Sequence, residues 1–138
     1  MIEAWSISSI IEARGAVLFE DVGAPVPLLP ELLAGVAAVA AKYELEIPVV
    51  AHAGDGNTHP ILVYDPADLG ARDRAYLAFD EIMAVAISLG GTITGEHGVG
   101  RTKKGSLPDQ LGPEVMALSR TIKAALDPQG ILNPGAVL

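Results

Sequence analysis

At 138 residues the chain has the length of a single domain. Half of it is apolar and 19% is charged, so it is composed like an ordinary globular protein, and the net charge of −8 argues against a nucleic-acid partner, since phosphate binding needs clustered Lys and Arg. It contains no cysteine, which excludes disulfides, iron–sulfur ligation and thiolate catalysis by this chain.

The N-terminal stretch "MIEAWSISSIIEARG" has acidic residues early and no basic segment or cleavage site, so a signal peptide is not expected. No apolar run approaches the ~20 residues of a membrane span, and a cytoplasmic location is the resulting expectation. "AVLFEDV" (16–22) reads as a strand and "PVPLLP" (25–30) as a proline-rich turn, with Pro30 suited to the first turn of a helix. Leu32, Val36, Val39, Ala40 and Tyr43 recur at helical spacing, which predicts a helix over 31–44. "IPVVAHA" (47–53) and "THPILVY" (58–64) read as strands joined by the turn "GDGN". Ala75, Phe79, Ile82, Met83, Ala86 and Leu89 line one face of a helix over 70–89, which Gly90 and Gly91 end. "GTIT" (91–94) predicts a short strand, and a last helix runs from Pro113 to Leu126. The order β-α-β-β-α-β followed by a helix predicts an α+β fold, a ferredoxin-like βαββαβ unit with a C-terminal helix and tail.

All three histidines fall in two glycine-dense segments, "AHAGDGNTHP" (51–60) and "GGTITGEHGVG" (90–100). If "GDGN" is a four-residue hairpin loop, His52 pairs with His59, and directly opposed residues hold their Cβ atoms ~4.5–5.5 Å apart on one face. Glu96 and His97 add a carboxylate and a third imidazole. A His, His, Glu set is a recurrent ligand set for a divalent metal that keeps an open position. Adjacent residues on extended backbone point to opposite sides, so of Glu96 and His97 one is expected to ligate and the other to serve as acid or base. The bland readings are that a strand histidine is a hydrogen-bonded structural residue, that glycine turns are only turns, and that Arg101, Lys103 and Lys104 are a solvated start to a loop. "GEHGVG" lacks the spacing and the Lys-Ser/Thr ending of a phosphate loop.

"HAGDGNTHPILVYD" (52–65), "GGTITGEHGVGRTKKGSL" (90–107) and "IKAALDPQGILNPG" (122–135), with "EDVGAPV" (20–26) upstream, resemble the C-terminal part of FAD-linked oxidases of the glycolate oxidase D subunit and D-lactate dehydrogenase type. The resemblance implies that residues 1–138 are the later part of an α+β cap domain belonging to a vanillyl-alcohol-oxidase-type flavoenzyme, with the FAD-binding domain absent from this chain. It implies His52, His59 and Glu96 as ligands of a zinc-like divalent metal and His97 as the base toward a small 2-hydroxy acid, whose hydride passes to FAD. It further implies Asn57 near the substrate, Asn133 near the flavin, and Arg101 and Lys103 beside the substrate carboxylate. Ala136 stands where the family often has a lysine, which weakens any ionic anchoring of the tail. The partners implied are the hydroxy acid and a flavin-binding domain or subunit, and an iron–sulfur partner subunit is left open. A chain beginning at Met1 in mid-cap reads as a truncated frame or fragment, inactive alone and self-associating. A free-standing zinc hydrolase and a non-catalytic metal-binding module are the alternatives.

Overall fold

Pro60 interrupts the first strand of the sheet from across the ladder. In the computed structural model, which describes residues 14–138, β1 (Ala16–Phe19) and β2 (Val22–Gly23) both pair antiparallel with β4 (Asn57–Tyr64). They share one register, with Phe19 opposite Ile61 and Val22 opposite Thr58, which puts Glu20 across from Pro60 and Asp21 across from His59. The Glu20 N–H donates to the Pro60 carbonyl at 2.9 Å, but Pro60 has no N–H to return. The ladder opens there, and the strand expected over 16–22 is two strands with an acidic pair in the gap. The N-terminal stretch read for a signal peptide lies, up to residue 13, outside the described residues.

β3 (Val49–His52) borders β4 on its other side, and Thr92 forms an isolated antiparallel bridge to Gly23 at the far edge. The order Thr92, β1/β2, β4, β3 is that of the split βαβ unit. The strand expected over 91–94 is reduced to this one bridge. Its polar groups turn elsewhere: the Ile93 N–H donates to Gln110 Oε1 at 2.7 Å and the Thr94 hydroxyl to Asp21 Oδ2 at 3.0 Å.

The hairpin register also differs from expectation. His52 pairs with Asn57 and Val50 with His59, around a loop of Ala53 to Gly56. The His52 carbonyl accepts both the Asp55 and the Gly56 N–H at 3.1 Å, and Asp55 Oδ1 accepts the Asn57 N–H at 3.0 Å. Gly56, at φ +82°, lies so close to Ala24 that a Cβ would stand 2.1 Å from its carbonyl oxygen. The pairing is displaced by two residues, and because side chains alternate with period two, His52 and His59 stay on one face as diagonal neighbours.

Helices α1 (Leu29–Tyr43) and α2 (Ala71–Ser88) cover the other face of the sheet. Leu32, Val36 and Val39 meet Phe79, Ile82, Met83 and Ala86 over Val22 and Leu62, all buried. The stretch Val26–Tyr43, 18 residues at hydropathy 1.4, is long and apolar enough for a membrane span, contrary to the expectation from the sequence. Its buried stripe is the i, i+4, i+7 row of a helix packed on a sheet. α3 (Leu107–Leu126) begins six residues before its expected start. Gly112, at φ 74° and ψ 168°, breaks it just ahead of Pro113, so the expected helix is its second segment.

Candidate metal and acid–base site

The face of the sheet away from the helices carries Val17, Ile61 and Val63 as a small apolar cluster, and beyond it the histidines. His52 stands at the end of β3, His59 within β4, and Glu96 and His97 in the loop that follows the Thr92 bridge. Glu96 Oε1 is the focal atom. It lies 3.2 Å from His59 Nε2, 3.7 Å from His52 Nε2 and 3.6 Å from His97 Nε2. The His59 ring stacks on His97 at 4.9 Å and meets His52 edge-on at 5.3 Å. His59 is nearly covered, at 12% side-chain exposure, while His52, Glu96 and His97 remain about half exposed.

Glu96 and His97 do not diverge as adjacent extended residues would. The chain at 94–97 curls around Asp21, whose Oδ2 accepts the Thr94 hydroxyl at 3.0 Å and the N–H groups of Gly95, Glu96 and His97 at 2.9, 3.0 and 2.7 Å. Three successive amides turned inward to one oxygen leave both side chains beside the same cluster. A Cβ at Gly95 would stand 2.2 Å from Asn57 Oδ1, so any larger residue there has to displace the Asn57 side chain. Burial pushes the Asp21 carboxyl upward, yet the amides of His97 and Glu96, the Thr94 hydroxyl and the Lys103 charge outweigh it and hold it at about 2.

Asp21 is the residue of this cluster that pattern reading missed. The signal was present: adjacent acids in an apolar strand must face opposite sides, and each needs a buried partner. Glu20 takes the helix side, fully buried, against the Lys103 ammonium. Desolvation raises its carboxyl to about 7, against the opposing pull of Lys103.

The remaining expected site residues are divided. Lys103 is not available to a substrate. It is buried, and its ammonium is spent on Glu20 and on the carbonyls of Asp21 and Ile93 at 2.6 and 2.8 Å. Arg101 is exposed and donates to the Pro134 carbonyl at 3.0 Å, while Lys104 donates to that of Gly135 at 2.9 Å. These two hold the tail, with Ala136 buried beneath, so anchoring does not depend on a lysine at that position. Asn133 lies on this tail, exposed, at φ +49°. Asn57 and Glu96 border a cleft of about 460 Å³, whereas His97 and Arg101 border a hollow of about 240 Å³ with Leu18 and Phe79.

The donor chemistry fits a divalent ion. Ligand atoms of His52, His59 and Glu96 lie within 4.8 Å of one another. Two ligands of a tetrahedral zinc are about 3.3 Å apart, so only a small closure separates this geometry from a coordinated one.

An α+β domain with such a donor set matches a known class along its length. The family model "FAD linked oxidases, C-terminal domain" matches residues 4–137, and the chain belongs to that family. It is 39% identical over 130 residues to glycolate oxidase subunit GlcD of Bacillus subtilis, covering 94% of this chain and 28% of that protein. GlcD of Escherichia coli K12 is 39% identical over 107 residues, covering 78% and 21%. A probable mitochondrial D-lactate dehydrogenase of Danio rerio is 32% identical over 136 residues, covering 99% and 27%. The chain thus spans about a quarter of the length of these relatives.

Proposed function

We propose that this chain forms the substrate-side wall of an FAD-dependent oxidoreductase that oxidises a small 2-hydroxy acid of the glycolate or D-lactate type. The observation that carries the reading is the convergence of His52, His59 and Glu96 on one point with His97 alongside. Family membership and the names of the relatives support the flavin and the substrate class.

In this reading His52 Nε2, His59 Nε2 and a Glu96 oxygen hold a zinc-like divalent ion, which when bound supplies Lewis-acid polarisation of the substrate's hydroxyl and carboxylate. His97 Nε2 takes the hydroxyl proton, and the stacked His59 ring keeps the His97 imidazole in place. The hollow beside His97, walled by Leu18 and Phe79, excludes water from one side of the substrate, and Arg101 stands at its rim. Asn57 borders the other cleft, together with Glu96, and orients the substrate from there. FAD, held by the remainder of a longer protein and approached by Asn133, supplies the hydride acceptor.

The test is a longer protein that contains this chain, assayed with glycolate and D-lactate. His97→Gln is expected to lower turnover ~10²–10⁴-fold while bound metal is retained. Loss of metal with turnover per bound metal unchanged would assign His97 as a ligand and remove it as the base. The 138-residue chain by itself is expected to be colourless and to turn over neither acid. It should also self-associate through the exposed row Val115, Leu118, Ile122 and Leu126 on α3, which sedimentation would detect.

A further inference from the structure

We propose that Phe19 is a specificity-determining residue: the hollow it walls takes the carbon side chain of the 2-hydroxy acid, so that an acid with a branched apolar substituent is favoured over glycolate. This role rests on the reading above, which puts the hydroxyl at His97 and the carboxylate at the His52, His59 and Glu96 set. It adds where the rest of the substrate goes.

β1 pairs with β4 on one side, and among the described residues no strand borders its other side. The loop that follows the Thr92 bridge passes this open edge and leaves the hollow of about 240 Å³. Leu18 and Phe19 both line it, although successive side chains of a strand point to opposite faces, so the hollow wraps around the edge. Leu18 comes from the helix side, together with the buried Phe79 ring and the half-buried Val99. Phe19 comes from the other side. It stands opposite Ile61, two residues along β4 from His59, so its ring shares the face of the histidine cluster. There it keeps 40% of its surface exposed.

Charge separates the two recesses beside the cluster. The cleft of about 460 Å³ is bordered by the carboxylates of Asp55 and Glu96, whereas the lining of the hollow holds no acidic residue. The cations of the hollow are engaged: Lys103 turns its ammonium to Glu20, and Arg101 donates to the Pro134 carbonyl. What faces a ligand is the apolar wall of Leu18, Phe19, Phe79 and Val99. Each methylene buried there strengthens transition-state binding by a factor of about four. Glycolate has no carbon substituent to bury and gains nothing.

The test is the longer protein that contains this chain, assayed with glycolate, D-lactate, D-2-hydroxy-4-methylpentanoate and D-2-hydroxyglutarate. For D-2-hydroxy-4-methylpentanoate kcat/KM is expected ~10²-fold above that for glycolate, with D-lactate between them. Phe19→Ala should lower that ratio ~10-fold, and Phe19→Leu, which keeps an apolar wall, should hold it within about threefold of wild type. Glycolate turned over by wild type as well as the branched acid would overturn the proposal, even if no variant folds, and would leave the hydroxy-acid reading in place. A preference for D-2-hydroxyglutarate would also overturn it and give the hollow to Arg101. So would an unchanged ratio in Phe19→Ala. Turnover of none of the acids would remove the hydroxy-acid reading and the role of Phe19 with it.

Discussion

Glu20 and Asp21 are neighbours in the chain, both fully buried, and they live in opposite electrostatic worlds. Glu20 faces the helices and is held by the Lys103 ammonium, which lies 5.8 Å over the Phe79 ring, and by the Asp21 N–H, which donates to its Oε1 at 2.8 Å. Asp21 faces the histidines and is held by three backbone amides and a hydroxyl. Desolvation is the largest influence on each, yet one carboxyl ends near 7 and the other near 2. What separates them is the number and preorganisation of donors. The ammonium beside Glu20 has to be buried along with the charge it serves and is joined by one amide, whereas three amides of a curled loop arrive at Asp21 already oriented.

The largest effect that tests this contrast is on the helix side. At about pH 8, above the Glu20 value of about 7, Lys103→Met should destabilise the chain by ~3–5 kcal/mol in urea unfolding, because it strands a buried carboxylate. A loss below ~1 kcal/mol would mean that Glu20 carries no charge in the folded chain. Replacing both partners by apolar residues should recover most of the loss.

The pH response should differ in sign between the two acids. Glu20 is raised from 4.5 to about 7, so across that window the folded chain keeps a proton the unfolded chain has released, and stability falls as pH rises. Asp21 is lowered from 3.8 to about 2, so its contribution is present above about pH 4 and is lost as pH falls toward 2. Unfolding midpoints compared at pH 5 and pH 7 in chelator should show a decline with pH in wild type that Glu20→Gln abolishes. An unchanged decline in that variant would assign it to another group.

The smallest effect belongs to the better-satisfied acid. Thr94→Val takes away one of four donors to Asp21 and should cost about 1 kcal/mol in the same unfolding measurement. A cost equal to that of Lys103→Met would erase the distinction between the two sides of the strand.

The pattern of the sequence carried the helices, the hairpin and the histidine cluster, because each rests on a period. His52 and His59 reached one face although the register shifted, since a displacement of two conserves parity. What was not legible depended on chain segments far apart in sequence meeting in space. The role of Lys103 required knowing that its loop folds back over β2 to reach Glu20, 83 positions earlier in the chain. The convergence of Glu96 with His97 required Asp21 to turn three amides toward one point, which no local propensity describes. The strand at 91–94 failed for a similar reason. Gln110 and Asp21 claim the hydrogen bonds that a sheet neighbour would have made. The acidic pair in "FEDV" was the one readable hint of all this, because an apolar strand does not carry two adjacent carboxylates without a partner for each.

The proposed divalent site of His52, His59 and Glu96 is open to anomalous diffraction at the zinc edge from crystals grown with zinc. One strong peak is expected about 2.0–2.2 Å from His52 Nε2, His59 Nε2 and a Glu96 oxygen, absent in His52→Ala/His59→Ala. A fully occupied peak elsewhere on the chain, or no peak among these three residues at saturating zinc, would contradict it.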